Sequence, residues 1–327
     1  MLRKIKRFQR RSEKSPRFVS VIFNPDAGQE RPVLKAFNRI FKAAGCRWEI
    51  QITNEFGDGR RLAEQAVDKG ADVVAVYGGD GTVMDVAAGL IHSSVPLAIL
   101  PGGTANAVAF ELGIPRDIVD ACALIVDPDH TYRQVDVGQV NDICFLLRVG
   151  VGFEASVVEG AGREQKDRYG LFAYFLSILI SLNQASVSRY ELTIDGKKVE
   201  IEGLACMIAN FSSIGLPGLP LSPKIEFNDG LLDVFVIRRV DLMELFALAS
   251  SVFGNPEEEA GLPHWHATTV EVHSHPPQSI EADGELIGRG SARMRVLPKA
   301  LKVIVPSKLP PPVERRSLLE GIPPDQE

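Results

Sequence analysis

Three short segments of this chain carry residue types that handle phosphate. Gly78-Gly79-Asp80-Gly81-Thr82 follows an apolar run, Val73 to Tyr77, and opens a helix-like stretch, Val83 to His92. Asn24-Pro25-Asp26-Ala27-Gly28 ends an earlier strand-like run, and Pro101-Gly102-Gly103-Thr104-Ala105-Asn106 ends a later one. A glycine turn between strand and helix offers backbone N–H groups at the positive end of a helix dipole, a cradle for phosphate. Asp80 is the unusual member. A carboxylate about 4 Å from a phosphate charge costs on the order of 4 kcal/mol at an effective dielectric near 20. The turn therefore tolerates its acid only if a cation lies between the two charges, or if the acid points away. The first alternative means a nucleotide polyphosphate with Mg²⁺, and so phosphoryl transfer. Neither Gly-x-x-x-x-Gly-Lys-Ser/Thr nor Gly-x-Gly-x-x-Gly occurs, so the P-loop and the dinucleotide fingerprint are both absent.

The elements that must position these turns alternate in kind. Phe18 to Phe23, Trp48 to Thr53, Val73 to Tyr77 and Pro96 to Leu100 read as strands; Pro32 to Ala44, Gly59 to Lys69 and Ala105 to Leu112 read as helices. Strands alternating with helices predict an α/β N-terminal domain, a parallel sheet flanked by helices. Ligands of such sheets bind at the carboxyl ends of strands, where all three turns fall. Around Tyr132 to Val137 the rhythm changes. Strand-like runs then dominate: Ile143 to Val149, Tyr190 to Ile194, Lys197 to Ile201, Leu204 to Ala209, Leu232 to Ile237, Thr268 to Val272, Ser279 to Ala282 and Ala292 to Val296. Asp195-Gly196 is a hairpin signal between two of them. This half predicts a mainly antiparallel β-sandwich with helices inserted at Leu171 to Leu182 and Leu242 to Phe253. Leu301 to Val305 is a last strand that could join either domain. The predicted organisation is a basic tail at 1–17, a nucleotide-binding α/β domain at 18–137, a β-sandwich lipid and catalytic domain at 138–306, and a Pro-rich tail at 307–327.

Composition narrows the classes. The chain has 327 residues and a net charge of −6, yet Met1 to Arg17 carries eight Lys/Arg and one Glu, a net of +7. With Leu2, Ile5 and Phe8 at three-residue spacing, that tail could lie on an anionic membrane surface. No signal peptide is visible, and Leu171 to Leu182 falls well short of the roughly twenty apolar residues that span a bilayer. Cys46, Cys122, Cys144 and Cys206 lie far apart in apolar contexts, as buried reduced thiols do. A cytoplasmic protein, peripheral at a membrane at most, is expected. No nucleic-acid partner is expected, and a homodimer is allowed.

The three turns resemble the catalytic domain of the diacylglycerol kinase family, whose superfamily also holds sphingosine kinases and, more distantly, NAD kinases and phosphofructokinases. Two downstream segments sharpen the resemblance towards bacterial-type lipid kinases. Asn228-Asp229-Gly230-Leu231-Leu232-Asp233 resembles their metal-associated motif, and Glu281-Ala282-Asp283-Gly284-Glu285 their catalytic Asp-Gly-Glu segment. The resemblance implies that Gly78, Gly79, Asp80, Gly81 and Thr82 bind ATP phosphates, with Asp80 near the nucleotide's Mg²⁺. Gly103, Thr104 and Asn106 would contact the nucleotide, and Asn24 and Thr53 would line the same cleft. Asp229, with the backbone oxygens of Glu226 and Leu231, would hold a structural Mg²⁺. Glu285 would be general base on a lipid hydroxyl, positioned by Asp229 or Asp283.

The implied activity is Mg²⁺-dependent transfer of the ATP γ-phosphoryl group to diacylglycerol or a related lipid. Its rivals are an NAD kinase-like enzyme and a catalytically weak lipid- or nucleotide-binding regulator. The second rests on departures from the family pattern. Met84-Asp85 stands where the family has Asn-Glu, and Ala107 where it has Asp. A further departure, Gly215-Leu216-Pro217-Gly218-Leu219-Pro220 where a glycine triplet is usual, bears on which acceptor lipid fits. Before the helix at Leu171, the residues Arg163, Lys166, Arg168 and Tyr169 make a basic approach suited to lipid head groups. His264, His266, His273 and His275 include same-face pairs, but no Cys or tight ligand pattern joins them, which argues against zinc.

Overall fold

The computed structural model describes residues 16–28, 33–152, 186–212, 225–238 and 262–307. Both tails beyond these limits, the expected helices at Leu171 and Leu242, the basic approach at 163–169 and the loop at 215–220 lie outside the described residues. The described residues divide into two compact units, one built from residues up to Val135 and from Lys299 onward, the other from residues between Asp136 and Pro298.

In the first unit, strands β1 (Phe18–Phe23), β2 (Arg47–Ile52), β3 (Val73–Gly78) and β4 (Leu97–Pro101) form a parallel sheet in the order β2-β1-β3-β4. Every residue of β3 is buried, as expected where helices cover both faces. The helix Val33–Ala43 turns Val33, Phe37 and Phe41 inward at four-residue spacing, and Phe37 meets Tyr77 and Trp48 edge-on. The helix Asp58–Asp68 buries Leu62, Ala63 and Ala66.

The helix after the first glycine-acid turn runs Asp80–Ala88, three residues earlier than its apolar pattern suggests. Asp80, Gly81 and Thr82 thus form its first turn. A further helix, Ile118–Val126, has no counterpart among the sequence expectations; Asp117 caps it by accepting from the N–H of Val119 and Asp120.

The second unit is an antiparallel sandwich. One sheet has the order β12 (His264–Ala267), β11 (Leu232–Ile237), β10 (Ala205–Ala209), β7 (Arg148–Val151), β14 (Ser279–Ala282), β15 (Glu285–Arg289). In the other, β8 (Ser188–Ile194) lies between β9 (Lys197–Gly203) and β13 (Thr269–His275), while β5 (Thr131–Val140) pairs with β6 (Ile143–Phe145). Alternate residues of both sheets, among them Val149, Ile208, Val234, Leu192, Val272 and Met294, make the core.

The final strand, β16 (Ser291–Val305), is continuous where sequence suggests two strands. Its early residues pair with β13, and Val303 lies parallel to Leu97 of β4. Pro298 and Lys299 suggest a break; the chain instead passes through one left-handed residue, Lys299 at φ 52°, and continues. Strands β5, β12 and β15 have no counterpart among the sequence expectations: β5 buries Asp136 within its apolar run, β12 has only four residues, two of them histidine, and β15 exposes Leu286.

Candidate active site

The three glycine turns of the first unit meet. Gly102 N–H donates to Gly78 O at 2.9 Å, and Asn24 Nδ2 donates to Thr82 Oγ1 at 2.8 Å. A Cβ on Gly103 would stand 2.5 Å from the Cα of Gly79, and one on Gly28 would stand 2.9 Å from Gly102 O. Tyr77, stacked on Phe23 at 4.8 Å, packs against these turns: its hydroxyl blocks a side chain at Gly28 and its ring blocks one at Gly102. In the sequence, Tyr77 is only the last residue of a strand-like run. Asn106, left-handed at φ 51°, closes the last turn by accepting from Gly103 N–H and donating to Gly103 O. Thr53 is buried beside the first turn, its N–H donating to Phe23 O at 3.0 Å.

Asp80 joins two of the turns directly. Its carboxylate oxygens accept from Ala107 N–H and Val108 N–H, both at 3.0 Å, at the start of the short helix Ala107–Glu111. Burial pushes the Asp80 carboxyl up from its ordinary value, against amide donors that favour the charged form. Hydrogen bonding inside the Asp80 helix begins with Val83 N–H to Gly79 O. The amides of Gly81 and Thr82 precede it, and no atom stands within 4 Å of the place a Cβ would take on Gly81. Thr104 is exposed on the adjoining turn. This is a cradle of backbone donors suited to a polyphosphate.

The departures from the family pattern turn inward. Met84 is buried, Asp85 accepts from Gly59 N–H at 2.7 Å and Gly57 N–H at 3.2 Å, and Ala107 gives its amide to Asp80. Asp85 therefore binds the start of the Asp58–Asp68 helix.

In the second unit, Asp283 and Gly284 form a two-residue hairpin turn with φ 48° and 94°, the type that Asp-Gly favours. The Asp283 carboxylate accepts from Leu146, Leu147 and Arg148 N–H at 2.7, 2.9 and 2.9 Å. Burial nevertheless raises its pKa to about 6. From Leu146 the hydrogen bonds continue. Asn210 Nδ2 donates to Leu146 O at 2.8 Å and to Asp136 O at 2.9 Å, and Asp136 Oδ2 accepts from Gly230 N–H at 2.6 Å. Gly230 belongs to the Asn228–Asp233 segment, so this chain of bonds links the two acidic motifs. Asp136 and Asn210 were missed at the sequence level because neither adjoins a glycine turn.

Glu285 follows the hairpin as the first residue of β15 and is exposed, with no hydrogen bond to another described side chain. Asp283 thus reaches the β6–β7 connection, and its bonds do not include Glu285. Glu226 and Asp229 are exposed, and Asp229 Oδ1 accepts from Leu231 N–H at 2.9 Å. A carboxylate with neighbouring backbone carbonyls is an oxygen-only set of the kind Mg²⁺ accepts.

A parallel α/β unit with joined glycine turns, and a sandwich with linked acidic turns, define a kinase-like class of protein. Residues 19–140 match the diacylglycerol kinase catalytic domain, and residues 148–305 match the YegS C-terminal NAD kinase beta sandwich-like domain. A Pseudomonas aeruginosa protein named probable lipid kinase YegS-like is 31% identical over 89% of this chain and 94% of its own. A Bacillus subtilis diacylglycerol kinase is 27% identical over 88% of this chain and 96% of its own. A crystallised diacylglycerol kinase from Bacillus anthracis superposes with a TM-score of 0.74 at 26% identity, covering 92% of this chain and 100% of that one. The chain belongs to the diacylglycerol kinase catalytic-domain family, in its YegS-like lipid kinase branch.

Proposed function

We propose that this protein transfers the γ-phosphoryl group of ATP to the hydroxyl of diacylglycerol or a related lipid, with Glu285 as general base. The observation that carries the reading is the hydrogen-bonded path from Gly230 through Asp136, Asn210 and Leu146 to Asp283. It holds together the two motifs that set lipid kinases apart from other kinases with a glycine-acid turn. The nucleotide falls to the first unit. There the amides opening the Asp80 helix receive the phosphates, and Thr104, Asn24 and Thr53 flank them.

Glu285 is exposed at the end of a hairpin whose turn Asp283 anchors through Leu146, Leu147 and Arg148, and it is the group that would meet a substrate hydroxyl. It takes the hydroxyl proton as the lipid oxygen bonds to the γ-phosphorus; the bond to the β-phosphate oxygen breaks, and ADP leaves. Asp80 would lie near the nucleotide's Mg²⁺, which would supply charge neutralisation on phosphate oxygens. Asp229 with the carbonyls of Glu226 and Leu231 would hold a separate, structural Mg²⁺. Positioning provides most of the acceleration, and the base adds about 10²–10⁴-fold.

The test is a radiolabelled ATP screen against a panel of lipids plus NAD, with Glu285→Gln beside the wild type. Labelled lipid from the wild type, a loss of about 10²-fold or more in the variant, and unchanged ATP binding are expected. Labelled NAD, or full activity of Glu285→Gln, would overturn the reading.

A further inference from the structure

Strands β11 and β12 pair so that Asp233 lies opposite His266 and Phe235 opposite His264. Side chains alternate along a strand, so these four share one face of the sheet. Leu232, Val234 and Ala267 enter the sandwich core on the other face. Asp233 Oδ1 is 2.7 Å from His264 Nε2 and 3.4 Å from His266 Nε2. One ligand atom from each of the three residues lies within 4.8 Å of the other two. The rings are held in place: His264 stacks on Phe235 at 4.2 Å and 5°, and meets His266 edge-on at 4.6 Å. The Asp233 side chain is only 2% exposed, whereas that of His266 is 53% exposed. A buried carboxylate thus faces two imidazole nitrogens, with an open approach on one side.

We propose that Asp233, His264 and His266 form a binding site for Zn²⁺ or a transition metal of similar preference. Tetrahedral zinc with bonds of about 2.0–2.2 Å sets neighbouring ligand atoms roughly 3.3–3.5 Å apart. The pair formed by His266 and Asp233 already has that spacing. His264 and Asp233 are a hydrogen bond apart and must open by roughly 0.7 Å for zinc to enter at that spacing. Zinc binds the His264 tautomer protonated at Nδ1, whose Nε2 lone pair faces the metal, and the proton held between Nε2 and Asp233 exchanges away through solvent. Two imidazoles and one carboxylate leave a fourth position for water on the exposed side of His266. Imidazole donors favour zinc over magnesium, so this site and the oxygen-only set at Asp229 select different ions. The metal would also clip β12, an edge strand of four residues, to the strand that follows the Asp229 loop. This inference stands independently of the kinase reading.

The test uses the untagged 327-residue chain, stripped with a chelator and titrated with ZnCl₂ by calorimetry in excess Mg²⁺. Co²⁺ serves as a visible-absorption probe. One Zn²⁺ per chain is expected, with a tetrahedral Co²⁺ spectrum. His266→Gln, at a half-exposed position, should keep the fold by circular dichroism and weaken zinc by more than about tenfold, the scale on which even outer-shell losses act. His264→Gln should do the same, and His273→Gln on β13 should bind as the wild type does. Absence of stoichiometric binding, equal affinity in wild type and His266→Gln, or displacement of zinc by millimolar Mg²⁺ would each overturn the proposal.

Discussion

Asp80 shows how one side chain resolves a conflict that the sequence poses. The acid inside a phosphate cradle turns both oxygens onto the amides of Ala107 and Val108, so it joins two turns as well as capping a helix. Asp80→Asn keeps one acceptor oxygen of two and should cost about 0.5–2 kcal/mol of stability in urea melts. It should also weaken Mg²⁺–ATP more than metal-free ATP; equal weakening in both titrations would assign Asp80 to the cap alone. The glycines allow a sharper contrast. A methyl on Gly103 collides with the Gly79 backbone at 2.5 Å, whereas one on Gly79 stands at 3.4 Å from the Gly103 Cα. Gly103→Ala should lose about 1–3 kcal/mol and most nucleotide affinity, while Gly79→Ala loses little stability. Similar melting for both variants would refute the packing of these turns.

Among the elements, the β14–β15 hairpin connects sequence to mechanism most directly. Asp283-Gly284 is legible as a tight turn from its residue types alone, but its anchor at Leu146 to Arg148 is not. The burial of that carboxyl, which outweighs its anchor, makes stability depend on pH. Burial raises the native pKa of Asp283 to about 6, above the unfolded value of about 4. Between those limits the native state holds a proton that the unfolded chain has released. The stability Asp283 contributes is therefore fullest below about pH 4 and is lost as pH rises towards about 6. Asp283→Asn should remove that part of the slope and lower stability at every pH, since an amide cannot accept all three N–H groups. Wild-type and variant curves of equal slope across the window would sink this account.

At the scale of the whole molecule, the charge distribution sets the expected partner surface. Residues 1–15 carry seven Lys/Arg and one Glu, ahead of an acidic remainder. Each basic side chain contributes about 1 kcal/mol near an anionic leaflet. Deleting residues 1–15 keeps Pro16 and Arg17, whose backbone bonds to Cys46 and Asp72. The deletion should reduce binding to anionic vesicles, most at low salt, and leave turnover on detergent-dispersed lipid unchanged. Unchanged vesicle binding would exclude the tail as a membrane contact. No helix among the described residues is long and apolar enough to cross a membrane.

What the sequence determined by itself was local. Apolar periodicity marked the alternating strands and helices, and glycine turns after strands marked one sheet edge. Asp195-Gly196 marked a hairpin, because φ preference and side-chain alternation act over a few residues. The sequence could not say which turn touches which. Asp80 meets amides 27 and 28 residues away, Asp283 meets amides up to 137 residues away, and Asp233 faces His264 across 31 residues. Each partner is fixed by strand order and register, and these follow from burying whole faces of a sheet. The histidines of β12 therefore read as a loose run with no ligand pattern. Only the pairing of β12 with β11 set a buried carboxylate against them.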